Sequence, residues 1–188
     1  MSHLGHRVCP WWMGYFLASP LRKLWQNPHA ILAPFVSEGM VVLEPGPGMG
    51  YFTLELARLV GPKGRVVAVD VQERMLAALR RRAARRGLAD RVDARLAGET
   101  GMGVTDLARR ADFALAFAMV HEVPDAGRFL AEVAQAVKPG GRLLIAEPRG
   151  HVNDADFAET LALAERAGFR LESRPAIRSS VAALLVRN

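Results

Sequence analysis

Three glycines alternate with other residues directly after a short apolar run and a carboxylate, in the stretch VVLEPGPGMG at residues 41–50. They are Gly46, Gly48 and Gly50, and Glu44 stands two residues before the first of them. Glycine lets backbone N–H groups approach a ligand closely and adopts turn conformations that other residues resist. A tight strand-to-helix turn beside an incidental carboxylate is the structural alternative. The spacing favours a loop that holds a ligand against the backbone.

A second carboxylate, Asp70, ends the next apolar run, RVVAVD, twenty residues after Gly50. In open α/β sheets, ligands bind at the carboxyl ends of the strands, near the point where the strand order reverses. An acidic side chain at that place can accept hydrogen bonds from both hydroxyls of a ribose. The glycine loop and Asp70 together predict a nucleoside site.

The details of the loop select among nucleosides. The dinucleotide fingerprint G-x-G-x-x-G is not matched, because its third glycine would fall on Tyr51. A negative charge on Glu44 would also sit poorly beside a pyrophosphate. A carboxylate next to an open backbone suits a ligand that carries an ammonium group and no phosphate. We therefore predict S-adenosylmethionine as the cofactor, with a nicotinamide-dependent oxidoreductase as a less favoured alternative.

After Pro34 the sequence pattern alternates between strands, turns and helices, and these elements must position the candidate residues. Apolar runs predict strands at 40–43, 65–69, 91–96, 113–120, 142–146, 170–173 and 182–186. Amphipathic spacing predicts helices at 53–60, 72–86, 126–137 and 154–167, and Pro139-Gly140-Gly141 closes the third of these. Strands that alternate with helices predict an α/β fold whose mainly parallel sheet carries helices on both faces.

At this point the chain resembles the class I S-adenosylmethionine-dependent methyltransferases, from about residue 38 to residue 188. The family's first motif, E/D-x-G-x-G-x-G, resembles LEPGPGMGYFTLELA, and its second-strand motif resembles VVAVDVQERML. The fourth-strand and later motifs of the small-molecule branch resemble ADFALAFAMVHEVPD and FLAEVAQAVKPGGRLLIAEP. The resemblance implies a doubly wound, seven-stranded sheet in the order 3-2-1-4-5-7-6, with the seventh strand antiparallel.

Two features depart from the family pattern. Many relatives carry an acidic residue after the third strand that contacts the adenine amine, whereas this chain reads LAGE at residues 96–99. Either Glu99 or backbone groups take that role. Pro47 inside the glycine loop removes a donor, so an N–H at that position is not needed. The predicted cofactor-binding residues are Glu44, Gly46, Gly48, Gly50, Asp70, Val71, Gly98, Glu99 and Phe117.

Candidate catalytic side chains follow the fourth and fifth strands, where the methyl group is expected to point. His121 and Glu122 come directly after the fourth strand, and Glu147 ends the fifth. His121 is suited to act as a general base, because the ordinary histidine pKa of about 6.5 is close to neutrality. A hydrogen bond that orients the loop is the alternative role. We expect Glu147 to orient the substrate and His151 to have a surface role.

The aromatic stretch CPWWMGYFLASPLRKLW at residues 9–25 is the predicted substrate cover, because the segment after the fifth strand is short. Trp11, Trp12 and Tyr15 are expected to wall an apolar pocket or to stack on a cationic or planar substrate. Docking of an amino-terminal helix on the sheet is the alternative, and it is favoured for Trp25. The predicted organisation is a helical lid segment and a cofactor-binding domain, at residues 1–34 and 35–188.

Cysteine count and hydropathy limit the class of protein. The 188 residues are 51% apolar and 23% charged, as in a globular protein. The single cysteine, Cys9, excludes an internal disulfide framework and a multi-cysteine zinc site, and no metal is predicted. An incidental thiol is favoured over a ligand role for Cys9 toward a thiol or metalloid. No run approaches the ~20 apolar residues of a membrane span, and residues 8–18 lack a clean signal-peptide cleavage site. We expect a cytoplasmic enzyme.

The net charge of +6 makes an anionic partner such as nucleic acid conceivable. The densest basic cluster is Arg80, Arg81, Arg82, Arg85 and Arg86, for which a solvated helix face is the favoured alternative. An RNA or protein methyltransferase is therefore the first alternative function, although no RNA-binding module and no N/D-P-P-Y/F/W motif is present. A non-catalytic nucleoside-binding protein is a further alternative. The leading prediction is methyl transfer to a small-molecule acceptor by in-line displacement, with the oligomeric state left open.

Overall fold

The computed structural model describes residues 26–98 and 101–188. Seven strands form one sheet in this part of the chain, and helices cover it. The helices α1 to α5 span Pro28–Leu32, Thr53–Leu59, Glu73–Ala84, Ala126–Ala136 and Asp154–Arg166. The strands β1 to β7 span Val41–Pro45, Arg65–Asp70, Val92–Leu96, Ala111–Phe117, Val137–Pro148, Phe169–Ser173 and Ser180–Arg187.

The strand order is β3-β2-β1-β4-β5-β7-β6, which confirms the expected topology. The first five strands pair in parallel, and β7 runs antiparallel to both of its neighbours. Successive strands move outward from β1 to β3, and the chain then returns to place β4 on the other side of β1. The order therefore reverses between β1 and β4, where an open α/β sheet forms its binding crevice.

The central strands are apolar on both faces, because helices cover both sides of the sheet. Leu43, Val67 and Ala114 belong to one hydrophobic cluster of buried side chains. Their sequence neighbours Val42, Val66 and Phe113 belong to a second cluster. This alternation follows from the period of two residues in a strand, which sends successive side chains to opposite faces. The packed sheet supplies a rigid base for the loops at its carboxyl edge.

Two predicted boundaries in the fourth and fifth strands were wrong. The strand β4 ends at Phe117 and not at residue 120, because Ala118 has a positive φ of 55° and turns the chain away. Its N–H still donates to the carbonyl of Ala146, at 2.7 Å. A one-turn 3-10 helix, Val120–Glu122, follows. It places His121 and Glu122 on a turn that leaves the sheet.

The residues Pro139-Gly140-Gly141, which were predicted to close the helix at 126–137, lie within a strand. The strand β5 begins at Val137, directly after α4, and the pairing with β4 shifts between Ala111↔Val137 and Phe113↔Arg142. Glycines and proline are tolerated in a strand where such an irregularity breaks the hydrogen-bond ladder. The shift leaves Glu147 at the carboxyl end of the strand, as the sequence predicted.

The predicted substrate cover falls outside the described residues. Trp11, Trp12 and Tyr15 lie there, as do Cys9 and Trp25, so the lid and the boundary at residue 34 stay predictions. Helix α1 is the described end of that segment, and its Leu32 is fully buried in the core. Among the helices of residues 26–98 and 101–188, none is long and apolar enough to cross a membrane.

Candidate active site

A cavity of about 630 Å³ lies at the carboxyl ends of β1, β2 and β4, where the strand order reverses. Its volume is within the range of about 300–1,000 Å³ that is typical of small-molecule sites. Seven predicted cofactor residues line it: Glu44, Gly46, Gly48, Asp70, Val71, Gly98 and Phe117. Gly50 does not line the cavity, and Glu99 lies outside the described residues.

The glycine loop has a different reason for glycine at each position. Gly46 has a φ of +67°, and a Cβ there would lie 3.0 Å from the Cβ of Met119, so the loop after β4 packs directly on it. Gly48 has a φ of +54°, and a Cβ there would meet nothing within 4 Å. Its backbone is therefore open to the cavity. Gly50 instead packs against Leu79 of α3, which seats the loop on that helix.

Glu44 is a buried carboxyl group with an unused oxygen. Its side chain is 3% exposed, and Oε2 has no hydrogen-bond partner among the described residues. Burial raises the pKa of Glu44 to about 8, the charge of Asp70 adds to the shift, and the nearby Thr53 hydroxyl opposes it. A buried polar atom without a partner is costly. A cationic group in the cavity would supply that partner, so the site fits the ammonium group of S-adenosylmethionine.

Asp70 ends β2 with its carboxylate held in place by the backbone. Oδ2 accepts a hydrogen bond from the N–H of Gly48 at 3.2 Å, and Oδ1 accepts one from the N–H of Gln72 at 2.9 Å. Burial raises the pKa of Asp70, and these backbone bonds oppose the shift. The side chain is 8% exposed and lines the cavity. Each oxygen keeps further acceptor capacity, as the two hydroxyls of a ribose require.

The loop after β3 is fastened by a residue that the sequence did not predict. Gly98 and Gly101 form an antiparallel bridge, in which the N–H of Gly98 donates to the carbonyl of Gly101 at 2.9 Å. Glu132 of α4 accepts a hydrogen bond from the N–H of Met102 at 2.7 Å. Both Glu132 and Met102 line the cavity. No local pattern marks Glu132, because its partner lies 30 residues away in the chain.

His121 and Glu147 meet beside the cavity. The carboxylate of Glu147 is 1% exposed; its Oε1 accepts a hydrogen bond from the N–H of Val120 at 2.8 Å, and its Oε2 bonds to Nδ1 of His121. That bond raises the pKa of His121, and burial opposes the shift. Neither residue lines the cavity, whereas Glu122 does. Glu147, expected to orient the substrate, is thus placed against His121. The ring of His151 lies 5.5 Å from that of His121, between centroids.

Aromatic side chains form the apolar part of the cavity wall. Phe52 and Phe117 lie with their ring centroids 4.2 Å apart, and Tyr51 meets Phe52 edge-on at 5.2 Å. The hydroxyl of Tyr51 donates to the carbonyl of Gln26 at 2.6 Å. Tyr51 and Phe52 were missed in the sequence, although an aromatic pair directly after the last glycine of the loop could have indicated them. A planar apolar molecule fits this wall.

The carboxylates that line the cavity are separate from one another. Within residues 26–98 and 101–188, no group of three or more His, Cys, Asp or Glu side chains is arranged to hold a metal ion. The cavity instead offers separate carboxylates, at Glu44, Asp70, Glu122 and Glu132, with Arg128 beside the last of them. Such an arrangement suits a ligand with a cationic end and several hydroxyl groups.

Comparison with known proteins agrees with this geometry. The family model described as "Methyltransferase domain" matches residues 36–172. The ubiquinone/menaquinone biosynthesis C-methyltransferase UbiE of Marinomonas sp. is 30% identical over 135 residues, which are 72% of this chain and 53% of that protein. The Escherichia coli O1:K1 protein of the same name is 28% identical over 78% of this chain and 58% of its own length. The chain thus spans about half the length of these relatives.

Solved structures share the fold over most of both chains. A SAM dependent methyltransferase from Aquifex aeolicus superposes with a TM-score of 0.83 and 26% identity, over 95% of this chain and 100% of that one. The [4+2]-cyclase SpnF superposes with a TM-score of 0.69 and 21% identity, over 80% of this chain and 60% of its own, and shares the fold alone. The family match, the strand order and the cavity agree: this chain belongs to the methyltransferase domain family, as a class I, S-adenosylmethionine-dependent member.

Proposed function

We propose that this protein binds S-adenosylmethionine and transfers its methyl group to a small, planar acceptor in the same cavity. The observation that carries the proposal is Glu44, a buried residue of the cavity lining whose Oε2 has no hydrogen-bond partner among the described residues. Leaving such an oxygen without a partner costs about 1–3 kcal/mol, and a cationic ligand would offset that cost. Asp70 stands on the neighbouring strand end, where it would accept hydrogen bonds from the ribose.

Holding the reactants is the main task of the chain in this reaction. The cofactor, when bound, supplies a methyl group attached to a positively charged sulfur, and the sulfur becomes the neutral thioether of the leaving group. Glu44 would pair with the ammonium group, and Asp70 would accept hydrogen bonds from the ribose hydroxyls. Val71 and Phe117 line the cavity and would contact the nucleoside, and the aromatic wall at Tyr51 and Phe52 would exclude water from the acceptor. Alignment of this kind supplies several kcal/mol of the barrier.

The acceptor class follows from the shape and polarity of the wall. Tyr51, Phe52 and Phe117 present rings to the cavity, and methionine side chains add to the apolar surface. The relatives named above are C-methyltransferases of ubiquinone and menaquinone biosynthesis. Because the chain spans about half of their length, they support a small conjugated acceptor as a class and not a particular compound.

Nucleic acid is a less favoured acceptor, since the arginine cluster is partly used within the molecule. Arg80 bonds to Glu73 at 2.6 Å and to the carbonyl of Ala94 at 2.7 Å, and Arg82 donates to the carbonyl of Met49. The other three arginines are exposed on and after α3. Retention on heparin that vanishes at moderate salt, together with methylation of RNA, would favour the alternative. A cytoplasmic location stays a prediction from the sequence.

Calorimetry and a methyl-transfer assay test the proposal together. We expect the protein to bind S-adenosylhomocysteine, and NADH not to compete. We also expect tritium to pass from the labelled methyl group of the cofactor to low-molecular-weight compounds in a panel of conjugated acceptors. Binding of NADH without binding of S-adenosylhomocysteine would refute the proposal and revive the oxidoreductase alternative. Binding without transfer to any acceptor class would favour a nucleoside-binding protein.

A further inference from the structure

Helix α3 packs against the glycine loop that follows β1. The buried side chain of Met49 forms a small cluster with Met75 and Ala78 of the helix. A Cβ on Gly50 would lie 2.4 Å from Cδ1 of Leu79, so this part of the loop rests directly on α3. The loop contains three glycines with a positive φ, and glycine loses more conformational freedom on folding than any other residue. Contacts with α3 therefore hold a segment that is intrinsically flexible.

Arg82 of the same helix binds the backbone of the loop. Its Nη1 donates a hydrogen bond to the carbonyl of Met49, and its side chain is partly buried. Burial lowers the pKa of Arg82, and the charges of Arg86 and Arg85 add to the shift. The guanidinium still stays charged, because arginine does not lose its proton in proteins. A charged donor thus contacts the glycine loop from the side opposite the cavity, since Arg82 is not among the lining residues.

The hydrogen bond to Met49 continues through two peptide groups of the loop. The peptide group of its carbonyl also carries the N–H of Gly50, which donates to the carbonyl of Pro47 at 2.9 Å. That carbonyl shares a peptide group with the N–H of Gly48, which donates to Oδ2 of Asp70 at 3.2 Å. The three hydrogen bonds form one chain, with a guanidinium at its start and a carboxylate at its end.

The order of donors and acceptors makes this chain cooperative. A carbonyl that accepts a hydrogen bond makes the N–H of the same peptide group a better donor. The positive charge at the donor end and the negative charge at the acceptor end both strengthen the bonds. Pro47 fits the arrangement, since the chain uses its carbonyl and not the N–H that proline lacks. Oδ1 of Asp70 is held separately, by the N–H of Gln72 at 2.9 Å, so the chain acts on Oδ2.

We propose that Arg82 is a positioning residue of the ribose site, which fixes the carboxylate of Asp70 through the peptide groups of Met49 and Pro47. Arg82 acts through the loop and not on the ligand, because it does not line the cavity. The inference rests on the proposed function, in which Asp70 accepts from the ribose hydroxyls of the cofactor. It also gives one arginine of the basic cluster a role that differs from that of its exposed neighbours.

Amide hydrogen exchange tests the chain without a ligand. In the wild type we expect the N–H groups of Gly48 and Gly50 to be protected, because each donates within the chain. Arg82→Met keeps the apolar stem of the side chain but removes the donor, so both amides should exchange about tenfold faster. Arg81→Met is the matched control, because it removes the same charge from an exposed neighbour on α3. Unprotected amides in the wild type would overturn the proposal, even if Arg82→Met does not fold.

The carboxyl group of Asp70 reports on the far end of the chain. A hydrogen bond to the ionised form lowers the pKa of a carboxyl, and the bond from Gly48 opposes the rise that burial causes in Asp70. In Arg82→Met we expect the ¹³C signal of this carboxyl to titrate at a higher pH than in the wild type. In Arg81→Met it should titrate as in the wild type. An equal rise in both variants would reveal an effect of net charge alone and would refute the chain.

Affinity for S-adenosylhomocysteine tests whether the chain matters for binding. Arg82→Met should weaken binding about tenfold, whereas Arg81→Met should stay within about twofold of the wild type. In an Asp70→Ala background the carboxylate at the end of the chain is missing, so Arg82→Met should weaken binding further by about twofold at most. The same tenfold loss in both backgrounds would refute the action through Asp70.

The outcomes separate this inference from the proposed function. Failure of the wild type to bind S-adenosylhomocysteine would refute the proposed function and with it the ribose role, whereas the amide and carboxyl measurements would still decide whether the chain exists. Normal binding by the wild type, together with wild-type affinity and a lowered unfolding temperature in Arg82→Met, would make Arg82 a purely structural residue and refute the positioning role alone.

Discussion

Replacement of Glu44 by glutamine tests the cofactor site most directly, because it removes a charge and leaves the size nearly unchanged. Burial raises the pKa of Glu44 to about 8, so at pH 7 about nine carboxyls in ten are protonated before ligand binds. The ammonium group of S-adenosylhomocysteine pairs only with the ionised form. Binding must therefore release about 0.9 proton at pH 7, and the affinity should rise about tenfold from pH 6 to pH 7.

Calorimetry in two buffers of different ionisation enthalpy measures that proton. In Glu44→Gln we expect no release from this residue and an affinity that no longer rises between pH 6 and pH 7. The variant should also bind about thirtyfold more weakly at pH 8, since a hydrogen bond to a charged group contributes about 2 kcal/mol. Glu73→Gln, which loses a surface pair with Arg80, is the matched control. Equal proton release and equal pH dependence in the wild type and Glu44→Gln would refute the assignment of Glu44.

The same carboxyl should make the unliganded protein less stable as the pH rises. Its pKa is raised from 4.5 in the unfolded chain to about 8 in the folded one, so the folded state binds this proton more tightly. The contribution of Glu44 to the free energy of unfolding is complete below about pH 4.5 and is lost as the pH approaches 8. The total loss is at most about 5 kcal/mol. Urea unfolding at several pH values should show that the difference in the free energy of unfolding between wild type and Glu44→Gln changes across this pH range. A difference that stays constant with pH would contradict the raised pKa of Glu44.

Three further changes probe the rest of the site. Asp70→Ala should weaken binding of S-adenosylhomocysteine by about 2–3 kcal/mol, and unchanged affinity in calorimetry would argue against the ribose assignment. Glu132→Ala frees the N–H of Met102 and should reduce that affinity about fivefold, with little change in the unfolding temperature; a wild-type affinity would remove Glu132 from the site. Deletion of residues 1–25 should spare cofactor binding and abolish methyl transfer, and full activity would exclude the predicted lid.

Local signals in the sequence were enough for the α/β class and for the carboxylates and glycines that line the cavity. A strand buried on both faces reads as a short apolar run, and the carboxyl ends of β1 and β2 are each marked by an acidic residue, Glu44 and Asp70. Glycines at fixed spacing indicated the loop after β1, because all three have a positive φ and two of them, Gly46 and Gly48, line the cavity. The strand order itself came from the family resemblance, since no local pattern distinguishes a strand at the centre of the sheet from one at its edge.

Features that depend on contacts distant in the chain were not predictable. Ala118 has a positive φ, which alanine rarely adopts, and the sequence therefore gives no warning that β4 ends at Phe117. Glu132 contacts the backbone 30 residues away, and Glu147 contacts His121 at a separation of 26. The sequence gives no signal for Glu132, and for Glu147 it indicates a strand end but not the partner, because only the packed sheet brings the partners together.

Glu44 and Glu147 illustrate why strand-end position alone does not define a role. Both are buried glutamates near the carboxyl end of a central strand, and the sequence predicted a ligand contact for each. Oε2 of Glu44 has no partner among the described residues, whereas the two oxygens of Glu147 are occupied by Val120 and His121. Glu44 also lines the cavity, whereas Glu147 is not among the residues that line it. Access to the cavity, together with the unpartnered oxygen, therefore favours a ligand contact for Glu44 and a contact with the histidine for Glu147.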